Sequence, residues 1–190
     1  MEAFLTSAAA VALAEIGDKT MLLAIVLAAR FRRPAPIIAG ILFATLANHF
    51  LAALLGAQAA AWFEGPAFRY LVAAGFIAMA IWTLVPDKLD EDENPPEPRF
   101  GAFLTTLVAF FLVEIGDKTQ IATIALGARY ADTLAVTAGT TAGMMLANVP
   151  AVLLGERATK IMPLRTMRLL AAVLFLIIGV SIASQAAGLF

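Results

Sequence analysis

The chain has 190 residues, 62% of them hydrophobic and 14% charged, with a formal net charge of −1 at pH 7. A mean hydropathy of +0.89 lies well outside the range of soluble globular domains and marks an integral membrane protein. The near-neutral charge offers no case for nucleic-acid binding, and the absence of cysteine excludes disulfides and thiolate metal sites.

Charged and Pro-rich punctuation leaves six hydrophobic segments, Ala3–Ala29, Ile37–Phe63, Phe68–Val85, Ala102–Ala128, Leu134–Gly155 and Leu169–Ala187. All six read as helices, because a closed barrel would need short alternating strands that the sequence does not show. The first segment, through Ala8–Ala14, has the small-residue look of a signal peptide. Its leading stretch, however, carries Glu2 and no basic residue, so it is expected to be retained.

Near the middle of that segment stands Glu15-Ile16-Gly17-Asp18-Lys19-Thr20, which recurs unchanged in the fourth as Glu114-Ile115-Gly116-Asp117-Lys118-Thr119, 99 positions later. Two carboxylates and a lysine therefore sit twice at bilayer depth. Each ionisable group there costs about 2.5–3.5 kcal/mol on insertion scales, so it normally faces a partner, a cavity or an ion path. Gly17 and Gly116 weaken the helix by roughly 1 kcal/mol relative to Ala and could let it unwind, freeing carbonyls to help hold a cation. Thr20, Thr119 and Gln120 add neutral oxygens nearby.

The second segment brings Gly40, Ala44 and Asn48, spaced by four, so residues that allow close helix approach lie in line with an amide. His49, the sole histidine, stands where it could shuttle protons at neutral pH. In the fifth segment Asn148 follows Gly143 by five residues. Either Asn148 replaces His49 without a gap, or a π-bulge before Pro150 restores it to the position of Asn48; the bulge is the preferred reading. The seven methionines show no clustered ligand pattern and read as packing or lipid-facing residues.

Between the third and fourth segments, Pro86–Pro98 holds six acids and one Lys. It reads as a solvated linker, with a cation-attracting antechamber as the sharper alternative. The organisation is thus one transmembrane domain: repeat 1 over 1–86, an acidic linker over 87–99, and repeat 2 over 100–190. At the same offset of 99, Arg30 meets Arg129, Gly40 meets Gly139, Leu54-Leu55-Gly56 meets Leu153-Leu154-Gly155, Arg69 meets Arg168 and Phe76 meets Phe175. A duplicated unit of three spans must enter the membrane from opposite sides, so the expected fold is all-α, six transmembrane helices forming two inverted-topology three-helix repeats. Arg30, Arg32, Arg33, Lys88, Arg99, Arg157, Lys160, Arg165 and Arg168 fall on one side, and only Arg69 and Arg129 on the other. The positive-inside rule makes the first side cytoplasmic, with both termini outside and the acidic linker inside.

Chemically, Glu15, Asp18, Glu114 and Asp117 sum to minus four, and Lys19 with Lys118 returns plus two. The balance matches one divalent cation or two protons, provided both lysines face the site, and an alternating-access carrier must not cross with it unbalanced. Obligatory exchange of a metal ion for protons follows. Oxygen donors suit hard cations such as Ca²⁺, Mn²⁺ and Mg²⁺.

Two copies of E-x-G-D-K/R-T/S in a six-helix chain with a charged central loop resemble the transmembrane-protein-165 family of cation/proton exchangers, within the lysine-exporter superfamily. The resemblance covers essentially the whole chain. It implies export of Mn²⁺ or Ca²⁺ from the cytoplasm in exchange for protons, with no cofactor. It also implies ion-binding roles for Glu15, Asp18, Glu114 and Asp117, and a basic role for Lys19 and Lys118. The short N-terminus looks like a bacterial plasma-membrane form. Further site-lining residues are Thr20, Thr119, Gln120, Asn48 and Asn148. The alternatives are an exporter of an amino acid or organic cation and, more remotely, an intramembrane aspartyl protease built on Asp18 and Asp117. Besides the lipid bilayer, the partners expected are the cation and protons; the sequence specifies no oligomeric state.

Overall fold

The computed structural model describes residues 1–63, 65–86, 101–155, 157 and 163–189. The acidic linker 87–99, with Lys88, Arg99 and Lys160, lies outside the described residues. Among those residues the chain is entirely helical apart from turns: α1 Glu2–Glu15, α2 Lys19–Phe31, α3 Pro34–Trp62, α4 Pro66–Thr83, α5 Gly101–Glu114, α6 Lys118–Tyr130, α7 Thr133–Leu154 and α8 Leu164–Ala186. Four of them, α3, α4, α7 and α8, are long and apolar enough to cross a membrane. The first and fourth hydrophobic segments are each two shorter helices that meet at the motif, α1 with α2 and α5 with α6.

The solvent relation is inverted, as lipid requires. Leu55, Leu112, Leu153 and Ile177 are each about 60% exposed, while Thr45, Thr106, Thr140 and Asn148 are fully buried. Apolar groups gain nothing by hiding from hydrocarbon, whereas polar groups must find partners inside.

The packing exchanges the two halves. α1 lies on α7 and α5 on α3, α3 also packs on α7, and α4 packs on α8. Small residues make the seams. A side-chain carbon at Gly40 would lie 2.8 Å from the Phe103 carbonyl oxygen, and one at Gly139 would run into that of Phe4. Both partners of the second contact are offset by 99 from those of the first. Phe76 and Phe175, likewise 99 apart, pack against each other with ring centroids 6.2 Å apart.

One seam breaks this correspondence. α3 continues along α6, with Gly56 against Ile124 and Ala128 and Gly127 against Ala53. The counterpart of Gly56 is Gly155, at the end of α7. A side chain there would meet nothing within 4 Å among the described residues. Instead Gly155, Ile25, Ala28, Ala29 and Val152 help to line a cavity of about 790 Å³ between α2 and α7. Among the described residues, one half is sealed where the other is open.

Candidate functional site

Both motifs sit where a helix is interrupted. α1 ends at Glu15; Ile16 is extended at φ −65°, ψ 107°, and Gly17 turns to φ +87° before Asp18 starts α2. Gly116 adopts φ +80° between α5 and Asp117, which starts α6. The left-handed region costs a non-glycine residue roughly 1–2 kcal/mol, which explains glycine at both points. Aspartate suits the position after it, because its carboxylate meets the orphan N–H groups and positive end of the new helix. The Lys19 amide donates to Asp18 Oδ1 at 2.7 Å. The freed glycine amides also have acceptors: Gly116 N–H donates to Gln120 Oε1 at 2.8 Å, and Gly17 N–H to the Met21 sulfur at 3.3 Å.

Glu15 and Glu114 end their helices, where the dipole disfavours negative charge, and both are fully buried; Asp18 is 1% and Asp117 4% exposed. Three of the four acids converge. Glu15, Glu114 and Asp117 offer carboxylate oxygens that all lie within 4.8 Å of one another, joining both halves of the chain in one cluster. Asp18 is not in that triad; its carboxylate caps α2.

Side chains from both halves surround the triad. Thr20 donates its hydroxyl to Glu15 Oε2, and Thr119 donates to Glu114 Oε2 at 3.1 Å and Asp117 Oδ2 at 3.3 Å. The motif threonines thus serve the acids rather than the preceding turn. Lys19 crosses to the other half, with Nζ 3.5 Å from Asp117 Oδ1. Lys118 also reaches the other half, donating to the Val85 carbonyl at 3.2 Å with its ammonium 5.9 Å from the Trp82 ring centre. Gln120 donates to Asn48 Oδ1, and the Asn48 amide donates to the Phe111 carbonyl at 3.1 Å, tying α3 to both α5 and α6.

The bulge expected before Pro150 is absent: α7 runs as regular α-helix from Thr133 through Leu154. Asn148 therefore corresponds to His49, and the contacts agree. The Asn148 amide donates to Glu15 Oε2 at 3.3 Å and to the Met144 carbonyl one turn back at 3.1 Å. His49 Nε2 stands 3.6 Å from Glu114 Oε2. Each long helix thus sends one side chain, at the same register, to the glutamate of the opposite repeat. Sequence reasoning passed over Met21 and Met144, whose sulfurs lie on Gly17 N and, at 2.9 Å, on Asn148 Nδ2. The offset of 99 from Met21 to Gln120 was the available signal.

Glu15 Oε1, Glu114 Oε1 and Asn148 Oδ1 are buried without hydrogen-bond partners among the described residues. Buried acceptors with no donor are costly, at about 1–3 kcal/mol each and more when charged. Several of them at one carboxylate cluster form a place for a cation or for protons.

A helical protein with an apolar exterior and a buried acid cluster shared between two like halves has the design of a membrane cation transporter. The chain belongs to the family described as divalent cation/proton antiporter GDT1, which it matches over residues 3–91 and 102–188. The resemblance drawn from the duplicated motif holds, and the protein is a transporter rather than an enzyme, which removes the protease alternative. It is 50% identical over 184 residues to a Vibrio cholerae protein named "Putative manganese exporter", covering 96% of this chain and 91% of that one. It is 29% identical over 217 residues to GDT1-like protein 5 of Arabidopsis thaliana, covering 95% and 94%. No solved structure matches the chain significantly.

Proposed function

We propose that this protein exports Mn²⁺ from the cytoplasm in exchange for protons, by alternating access about the Glu15, Glu114 and Asp117 cluster. The observation that carries the reading is the convergence of those three buried carboxylates from both halves of the chain. The cation and the protons compete for the same oxygens, because a divalent ion needs the acids ionised and its departure leaves buried charge that protonation relieves. The name of the Vibrio cholerae relative supports Mn²⁺ as the ion. In this reading Asp18 is the fourth acid, engaged as the ion passes, and Lys19 balances charge at Asp117.

Six spans arranged as two inverted repeats, 1–86 and 100–190 about the linker 87–99, agree with the repeated contacts Gly40 with Phe103 and Gly139 with Phe4. The bias of the basic residues supports a cytoplasmic side for the opening between α2 and α7, with the termini outside, and the bacterial relative supports a plasma membrane. The unequal seams support alternating access: in this orientation the 790 Å³ cavity is on the cytoplasmic side, and Gly56 and Gly127 seal the opposite one. A recess of about 550 Å³ around Phe63, Arg69 and Arg129 lies beyond that seal. Purified protein in vesicles carrying a pH indicator tests the function. Mn²⁺ gradients are expected to drive opposite proton movement; lysine-driven flux without a response to Mn²⁺ or Ca²⁺ would favour the amino-acid exporter instead.

A further inference from the structure

We infer that His49 is a nitrogen ligand of the transported ion and sets the site against Ca²⁺ and Mg²⁺; this deepens the exporter reading and rests on it. His49 is fully buried in α3, and neither ring nitrogen has a hydrogen-bond partner among the described residues. Nε2 nevertheless stands 3.6 Å from Glu114 Oε2, beyond hydrogen-bonding reach. Two donors sharing one ion, at bond lengths of about 2.0–2.5 Å, lie about 3–4 Å apart, so the pair has the spacing of neighbouring ligands.

Comparison within the chain sharpens the point. Asn148 occupies the equivalent place opposite Glu15, where its Nδ2 donates to Glu15 and the Met144 carbonyl while its Oδ1 has no partner among the described residues. An amide at position 49 has a donor to offer Glu114, as Asn148 does to Glu15. Imidazole there leaves two buried polar atoms unpaired, a cost of about 1–3 kcal/mol each, and supplies a lone pair beside the carboxylates. Ca²⁺ and Mg²⁺ are served by oxygen, whereas first-row transition ions accept imidazole nitrogen. Replacing one oxygen donor by nitrogen therefore discriminates between these classes, and the oxygen-rich remainder keeps the site suited to Mn²⁺.

The single histidine makes a direct test possible. Protein grown with ¹⁵N-imidazole histidine and purified without a histidine tag carries the label at His49 alone. Pulsed electron paramagnetic resonance of one equivalent of Mn²⁺ is expected to show coupling to a bound imidazole nitrogen that changes from the ¹⁴N to the ¹⁵N pattern on labelling. Mn²⁺ bound without that coupling, as for a ring that only carries protons, overturns the inference and leaves the exporter reading standing. No Mn²⁺ binding at all overturns both. In His49→Asn, the Ca²⁺ concentration needed to displace Mn²⁺ is expected to fall about tenfold; an unchanged ratio counts against the inference.

Discussion

Gly56→Ala is expected to shift the protein out of the conformation described here. The added carbon would run into the Ile124 carbonyl and lie 2.8 Å from the Ala128 nitrogen, so α3 and α6 must separate by about an ångström or more to restore ordinary contact. Overpacking of this kind costs about 1–3 kcal/mol. The gain in helix propensity, about 1 kcal/mol, is the same whether the seam is closed or open and does not move the equilibrium. The closed seam alone is penalised, which shifts the two-state ratio by about 5- to 150-fold. With no native cysteine, Ala29→Cys provides a reporter: Ala29 lines the open cavity and corresponds to Ala128, so it is covered when the seams exchange. Labelling of that cysteine by an impermeant maleimide from the cytoplasmic side is expected to slow in the Gly56→Ala background. Gly75→Ala, a helical position with nothing within 4 Å among the described residues, should leave the rate unchanged. Native labelling and native exchange in Gly56→Ala would refute the reasoning.

Other outcomes follow from the same geometry. Asp18→Asn and Asp117→Asn should each abolish Mn²⁺-driven proton flux while the protein still purifies folded; full flux in either removes that acid from the site. Thr119→Val deletes the one hydroxyl donor shared by two carboxylates and should weaken Mn²⁺ binding about tenfold or more, measured by titration calorimetry. Gly116→Ala meets nothing within 4 Å among the described residues, so the effect expected is that of the positive φ, roughly 1–2 kcal/mol. Its thermal midpoint should drop, and Gly116→Asn should recover part of the loss.

Much of the site was legible in the sequence because charge in lipid is costly: four acids at the centres of apolar segments, repeated at one offset, have few explanations besides an ion path. The glycines signalled the breaks, since Gly before Asp is how a chain makes a left-handed turn and restarts a helix. The placement of Asn148 was not legible. Spacing alone allowed a bulge, and only the docking of α7 on α1 set its register against Glu15. Lys19 reaching Asp117 was hidden for a similar reason: four residues from Glu15 it looks like a local partner, but the break removes the helical geometry that would join them.

Sequence by itself determined that this chain lives in a membrane, that it is doubled, and which acids it commits to the interior, because each of these follows from composition and spacing along one strand of text. Tertiary structure decided which acids meet and which half stands open. Two repeats that share one motif and one packing pattern carry no mark of which one is closed at a given moment; the choice lies in packing between helices far apart in the chain, where, among the described residues, Gly56 is covered and Gly155 is not.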